Sequence, residues 1–401
     1  MKILHVIPSV APRDGGPSSS IVPMCRALAE RGIDTTLVAT DADGPGRLDV
    51  ALDTPTSWHG VQARFFPCQF TEAFKYSRPL ARWLDGHVRE FSVVHVHAVL
   101  SHASLAAARA AARHGVPYII RPLGTLDPWS LGQKPGRKQL LLRAGAARLL
   151  QGAAAIHYTS AEEQRSVERT LHLTRGVVIP LGVDEARLSE SRWVDEDRAS
   201  ARYVLALSRL HPVKNLDTLI DAFADVARIP AARSWTLIVA GDGDPGYAAR
   251  LRERIAQRQA AEIVTLAGWV DGEAKRHLVR GASVFALPSF HENFGVSLVE
   301  AMAAGVPALV SSSVHLAEDI RSAAAGWTVD PGRDAIAAAL QDAIADAEGR
   351  RRKAAAAAAL AARYAWPLVA GSLADLYGRL AGRGEAASAP LSRIPAGAVG
   401  S

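Results

Sequence analysis

The stretch HENFGVSLVEAMAAG, residues 291–305, sets two carboxylates, Glu292 and Glu300, eight positions apart in a run otherwise composed like buried core. Earlier in the same half, SRLHPVKNLDTLI places Arg209 and Lys214 between a strand-like and a helix-like run. Carboxylates can hold hydroxyls or charge. Fixed cations can neutralise a phosphate leaving group without a metal. Near the start, PSVAPRDGGPSSS puts Gly15 and Gly16 before a helix that should open at Pro17 and be capped by serines. Paired glycines let amides and a positive helix end approach an anion, although a plain tight turn explains them as well. The spacing is not GxGxxG, which removes the main support for nicotinamide or flavin chemistry.

Positioning these groups requires particular elements. ASVFALPS reads as a strand, FHENFG as a loop and VSLVEAMAAG as a helix stopped by Gly305-Val306-Pro307. A single helix from 292 to 300 would turn the two glutamates about 80° apart, on no shared face. The loop-plus-helix reading instead sets Glu292 at a strand's carboxyl end and Glu300 near the first helical turns. A phosphate would then dock on the amides of Phe294, Gly295 and Val296. Asn215 is expected to cap the helix after Lys214, bringing Arg209, Lys214 and that helix end to one site. Taken singly, each feature also fits solvated surface charge.

The whole chain repeats this strand–helix rhythm twice. KILHVIPSV, DTTLVAT, VQARFFP, SVVHVHAV, VPYIIRPL, GAAAIHYTS and GVVIPLGV are short apolar runs in the first half, with SSSIVPMCRALAERG and HASLAAARAAARHG between them as helices. ARYVLALSRL, WTLIVAGDG, EIVTLAGWV, ASVFALPS and VPALVSSS repeat it, with NLDTLIDAFADVAR, PGYAARLRERIAQRQ and GEAKRHLVRGA as helices. The expected fold is α/β, two Rossmann-like doubly wound parallel sheets facing a cleft, with ligands beyond the strands' carboxyl ends. The boundaries are 1–184 for the first domain, 185–198 for a linker and 199–365 for the second. A helix at about 366–380 follows, placed to pack back on the first domain, then a disordered Gly/Pro/Ala/Ser-rich tail over 382–401.

Composition excludes several classes. With 401 residues, 49% hydrophobic and 21% charged, the chain has the make-up of an ordinary globular protein of about two domains. Its apolar runs are broken by Arg before reaching bilayer length, and the N-terminus reads as a strand rather than a signal peptide, so a cytoplasmic protein is expected. Cys25 and Cys68 form no CxxC and have no nearby histidine pair, which argues against disulfides and structural zinc. The net charge of +6 sits in residues 1–184, with 21 Lys/Arg against 15 Asp/Glu. No interleaved aromatic and basic stripe supports nucleic-acid binding.

SRLHPVKN, IVAGDGD, LAGWV, ALPSFHENFGVSLVEAMAAGVPALVSS and YAWPLVAGSLADLY, in this order, resemble the retaining glycosyltransferases of family 4, which have the GT-B architecture. The resemblance covers nearly the whole chain and is most specific over 205–310. It implies a nucleotide-diphosphate sugar, UDP- or GDP-linked, in the second domain and no divalent metal or other cofactor. Arg209 and Lys214 would hold the diphosphate, Glu292 the donor sugar and Glu300 the ribose hydroxyls. The backbone at Trp269 and Val270 would hold the base, and the loop of Gly15 and Gly16 would close over the phosphates. Sugar would pass to a glycan or lipid-linked acceptor with retained configuration, the leaving phosphate stabilised by Arg209, Lys214 and helix amides. Glu292 as a catalytic residue is an expectation.

The acceptor side is less legible. VVHVHAV puts His95 and His97 on one strand face. Many relatives carry a histidine in the loop after the next strand, where IIRPLGTLDPWS has Leu123 instead. Arg121, Asp127 and His97 are the candidates to substitute, although His97 also reads as a satisfied core histidine and Arg121 and Asp127 could pair with each other. The PLGTLDPW loop resembles enzymes of polysaccharide synthesis. After it, GQKPGRKQLLLRAGAARLL carries Lys134, Arg137, Lys138, Arg143 and Arg148 beside leucines, either a helix lying on an anionic membrane or a core-facing leucine stripe. The rival readings are a GT-B sugar-nucleotide epimerase and a non-catalytic sugar-nucleotide-binding protein.

Overall fold

The computed structural model describes residues 1–70, 72–133, 135–184 and 202–382. The linker read at 185–198 and the tail from 383 lie outside the described residues, as does Lys134. The chain forms two compact units, one of Met1–Gly182 with the segment from Trp366, the other of Val183–Ala365.

In the first unit the sheet strands are β1 (Lys2–Ser9), β2 (Asp34–Thr40), β3 (Pro55–Trp58), β4 (Val61–Phe66), β5 (Val93–His97), β6 (Tyr118–Arg121), β7 (Ala155–Tyr158) and β8 (Gly176–Val178). Their order is β8-β7-β6-β5-β1-β2-β4-β3, so the winding direction reverses between β1 and β5. All pairs are parallel except β3 on β4. Alternate residues bury on opposite faces, as strands covered on both sides require. Ile3, Ile7, Val93 and Ile119 pack under the helices α1 (Gly16–Ala29) and, much later in the chain, Trp366–Ala381. Leu4, Val6, Val94 and Ile120 pack under the helices Arg78–His87 and His102–His114.

The second unit holds β9 (Tyr203–Leu207), β10 (Thr236–Ala240), β11 (Val264–Gly268), β12 (Val284–Leu287), β13 (Ala308–Ser311) and β14 (Gly326–Val329). They are ordered β11-β10-β9-β12-β13-β14, the 3-2-1-4-5-6 order of dinucleotide-binding sheets, and all are parallel. Four helices matter for the site: α2 (Leu216–Val226), α3 (Pro245–Gln257), α4 (Gly272–Arg280) and α5 (Val296–Ala303). The last helix, Trp366–Ala381, is α6; its Val369, Leu373, Leu376 and Tyr377 complete the first unit's core.

The chain leaves the first unit and returns to it at one place in each. Val183 donates its N–H to the carbonyl of Tyr364 at 2.8 Å, and a Cβ on Gly182 would lie 2.2 Å from the Trp366 ring.

Candidate active site

Arg209 and Lys214 lie in the loop between β9 and α2. Backbone bonds fix this loop to the one after β10: Ser208 N donates to Ala240 O at 3.1 Å, Leu210 N to Asp242 O at 2.9 Å and Asp244 N to Leu210 O at 3.0 Å. Such contact requires glycine in the facing loop. A Cβ on Gly241, whose φ is 128°, would fall 1.9 Å from Ser208 O, and one on Gly243 2.4 Å from Leu210 O.

Glu292 follows β12, and its neighbour Phe290 donates its N–H to Val213 O at 2.8 Å, tying this loop to the cation loop. Lys214 and Glu292 form an ion pair through Nζ and Oε2. Burial alone would raise the Glu292 carboxyl, but the charge and hydrogen bond of Lys214, with His291 and Arg209 nearby, hold it below the usual carboxylate range. Glu292 is therefore ionised at neutral pH. Arg209 is exposed, and burial together with the charges of Arg209 and Lys214 lowers the His211 imidazole.

The two helix starts differ. Asn215 stands at the N-cap position of α2 in the left-handed region, φ 57°, and its side chain makes no cap bond. Its amide instead donates to Pro288 O and Pro331 O at 3.1 and 2.8 Å, which corrects the expectation that it caps the helix. The left-handed backbone turns the side chain away from the helix amides. Tyr247 on α3 takes that place: its hydroxyl accepts from Leu216 N at 3.2 Å and donates to Asp217 Oδ1 at 2.6 Å. The α2 start thus has an acidic residue, Asp217, in its first turn and its leading amide occupied by Tyr247. The start of α5 is open. Gly295, φ 76°, accepts at its carbonyl from Leu298 N and Val299 N, and among the described residues no protein group accepts from the amides of Val296 and Ser297. Phe294 is 2% exposed and stacks edge-on to Tyr364 at 5.5 Å, so only its backbone can serve a ligand.

Glu300 sits on α5 with Lys275 of α4 at 2.8 Å from Oε1 and 2.7 Å from Oε2. Sequence reasoning missed Lys275, because nothing local relates two residues on separate helices. Trp269 and Val270 follow β11; the Trp269 ring is exposed and its Nε1–H donates to Asp271 Oδ2 at 3.2 Å.

In the first unit, Gly15 N donates to Pro12 O at 3.0 Å and Gly15 O accepts from Ser19 N at 3.1 Å, so the glycines form a tight turn that opens α1 directly. The helix starts at Gly16, and the serines fall inside it. Their hydroxyls bond back to Ser9 O, Gly16 O and Pro17 O, so no serine caps it.

His97 is buried at the end of β5, its Nε2 3.1 Å from His5 Nδ1. Arg121 ends β6 and Asp127 opens the short helix Pro128–Gly132; both are 1% exposed, and no ion pair joins them among the described residues. Leu123 adopts φ 56° in the loop between. The basic segment is no single helix, since Gly145, φ 122°, breaks it into Pro135–Leu141, a wide turn and Ala147–Gly152. Leu150 joins the core, Leu140 is 66% exposed, and Lys138 donates to Ser130 O at 2.5 Å. Arg143 and Arg148 are exposed.

Two family profiles match this chain: "Glycosyl transferase 4-like domain" over residues 15–182 and "Glycosyl transferases group 1" over 189–360. The chain belongs to the group 1 glycosyltransferases. Each profile falls within one unit of this glycosyltransferase. GDP-mannose:cellobiosyl-diphosphopolyprenol alpha-mannosyltransferase of Komagataeibacter xylinus is 29% identical, over 96% of this chain and 94% of its own. A phosphatidyl-myo-inositol mannosyltransferase of Mycobacterium tuberculosis is 36% identical, but over 52% of this chain and 55% of its own. The crystal structure of Anabaena Alr3699/HepE in complex with UDP and glucose superposes with a TM-score of 0.74 at 22% identity, covering 94% of this glycosyltransferase and all of that chain. The fold is GT-B. As a glycosyltransferase the chain is a catalyst, which sets aside the epimerase and the non-catalytic binder.

Proposed function

We propose that this glycosyltransferase moves a sugar, with retained anomeric configuration, from a UDP- or GDP-linked donor to a hydroxyl of a phosphate-bearing, lipid-linked glycan acceptor in cell-surface polysaccharide synthesis. The observation that carries the donor half is the Lys214–Glu292 ion pair, beside exposed Arg209 and the open amides of Val296 and Ser297. Arg209, Lys214 and the α5 amides take the diphosphate and stabilise its charge as the glycosidic bond breaks. Glu292 orients the donor sugar. Glu300, held by Lys275, accepts from the ribose hydroxyls, and the backbone at Trp269 and Val270 takes the base. The acceptor half rests on the relatives, whose names give a diphosphopolyprenol and a phosphatidylinositol as acceptors.

A thermal-shift panel of UDP-, GDP- and ADP-sugars in EDTA tests the donor reading. One nucleotide class should raise the melting temperature, since a ligand at 100 times its Kd adds about 2.7 kcal/mol of stability. NMR of the product should show a retained anomer. No shift with any of them, and no transfer, would sink the proposal.

We also propose that the reaction takes place at the cytoplasmic face of a membrane. Among the described residues no helix is long and apolar enough to cross one. Exposed Leu140 with Arg143 and Arg148 supports peripheral contact with anionic lipid. Flotation should recover the protein with vesicles of acidic lipid at low salt and lose it at high salt; equal recovery with neutral vesicles removes the electrostatic part.

A further inference from the structure

The carboxyl end of the first unit's sheet encloses a polar group that the donor chemistry does not use. His5 on β1 lies beside His95 on β5, and His97 lies beside Arg121 on β6, in register across adjacent strands. His157 on β7 and Tyr377 on α6 complete it. The direction of one hydrogen-bond chain follows from its end: Ile179 O can only accept, so His157 Nε2–H donates to it at 2.7 Å and His157 Nδ1 is left to accept. His95 Nε2–H then donates to His157 Nδ1 at 3.1 Å, and Tyr377 O–H donates to His95 Nδ1 at 2.7 Å. That chain is satisfied and uncharged. Burial pushes all four imidazoles down, so they carry no charge at neutral pH.

Arg121 is different. It is 1% exposed, and its Nε and Nη2 are buried with no hydrogen-bond partner. The carboxylate whose charge reaches it is that of Glu163, and the oxygens of Glu163 are engaged elsewhere. Oε1 accepts from Gly124 N at 2.7 Å, and Oε2 from Thr159 N and Oγ1 at 2.8 and 2.9 Å. His5 Nε2 is a further buried nitrogen without a partner. A guanidinium removed from water, with a carboxylate near it but no acceptor on Nε or Nη2, is costly for a core to hold. It stands at the carboxyl ends of the strands, where ligands bind in such sheets, one strand from the order reversal between β1 and β5. Ala98 and Leu123, the non-glycine residues that lead out of β5 and β6, are both held at positive φ, 63° and 56°.

We propose that Arg121 is the seat for an oxyanion of the acceptor, a phosphate or diphosphate, with His5 assisting in the tautomer that accepts at Nδ1 from His97 and carries its proton on Nε2. This rests on the transferase reading above and assigns the acceptor's charged group to a residue. The neutral imidazoles add no like charge beside the guanidinium, and the Glu163 oxygens are committed to Gly124 and Thr159, so Nε and Nη2 stay without an acceptor until that anion arrives. The anion then supplies the charge and the acceptor oxygens that the protein withholds.

The test uses the full chain and Arg121→Met, with the donor site saturated by the nucleoside diphosphate that the sugar panel selects. Orthophosphate and geranyl diphosphate are titrated at fixed ionic strength, and melting temperature is read. Geranyl diphosphate should stabilise the wild type by several degrees, more than orthophosphate at equal concentration, and should not stabilise Arg121→Met. The unliganded variant should melt at or above the wild type, because it sheds an unpaired buried charge. The nucleotide-induced shift should persist in the variant, which separates failure here from failure of the transferase reading. A variant that melts well below wild type shows Arg121 holding the fold. An unchanged geranyl diphosphate shift, or stabilisation by orthophosphate alone, overturns the assignment, and Arg121→Lys retaining part of the shift supports it.

Discussion

Glu292→Gln should lower kcat about 100- to 1,000-fold while leaving the fold in place, the size expected when one preorganised electrostatic contact is removed from an active site. The substitution keeps the shape of the side chain and an oxygen to accept from Lys214, but it removes the charge that the ammonium faces. Loss of stability should therefore stay near 1–2 kcal/mol, below the roughly 3–5 kcal/mol seen when a buried ion pair is left with one bare partner. The sign with pH follows from the depressed carboxyl. Ionised Glu292 stabilises the folded state above the unfolded carboxylate pKa, and this contribution is lost as pH falls through the lower folded value. The Gln variant should lose less stability on acidification than the wild type. Steady-state kinetics with the donor chosen by the panel, together with urea unfolding at two pH values, reads both effects. Near-normal turnover would leave Glu292 as a holder of Lys214 alone.

Gly241→Ala should destabilise the second unit by about 3–5 kcal/mol, in the range that marks a specific structural conflict. Its Cβ would meet Ser208 O at 1.9 Å and Ser208 C at 2.9 Å, and both are backbone atoms that no rotamer change can move. The φ of 128° adds strain of its own. The ends of β9 and β10 must part, and the loop carrying Arg209 moves with them, so donor affinity should fall as well. Gly268→Ala is the control: its φ of 72° is unfavourable, but nothing lies within 4 Å of the new Cβ, and about 1 kcal/mol is expected. With two units, urea unfolding followed by probes in each is needed, since a single two-state fit would merge them. Equal effects from the two substitutions would contradict the steric account.

Each strand read from an apolar run of the sequence is present, because both sheets bury both faces and each run announces itself. Pro55–Trp58 and Gly326–Val329 escaped notice. They are four-residue strands at sheet edges, where one neighbour suffices and the sequence need not be continuously apolar. Glu292, Lys214 and Arg209 stand out in the sequence as candidates because loops after strands carry ligands in this architecture. The partners of Glu300 and of the α2 start do not. Lys275 meets Glu300 across two helices, and Tyr247 takes the cap expected of Asn215 from another helix altogether. The interlocking of His5, His95, His157 and Tyr377 needs strand register, which a linear pattern does not encode, as well as the return of the 366–380 helix to the first unit.

That return of α6 also fixes the order in which the protein can form during synthesis. Val183 and Ala365 are bridged at the two ends of the second unit, so this unit is one uninterrupted stretch of chain with neighbouring ends. It can complete its core once residue 365 has left the ribosome. The first unit begins earlier and finishes later, because Trp366, Leu373, Leu376 and Tyr377 belong to its core. Vectorial synthesis thus inverts the N-terminal-first order of ordinary tandem domains. A nascent chain stalled before residue 366 presents a complete second unit attached to a first-unit sheet that α1 covers on one face but α6 does not yet reach.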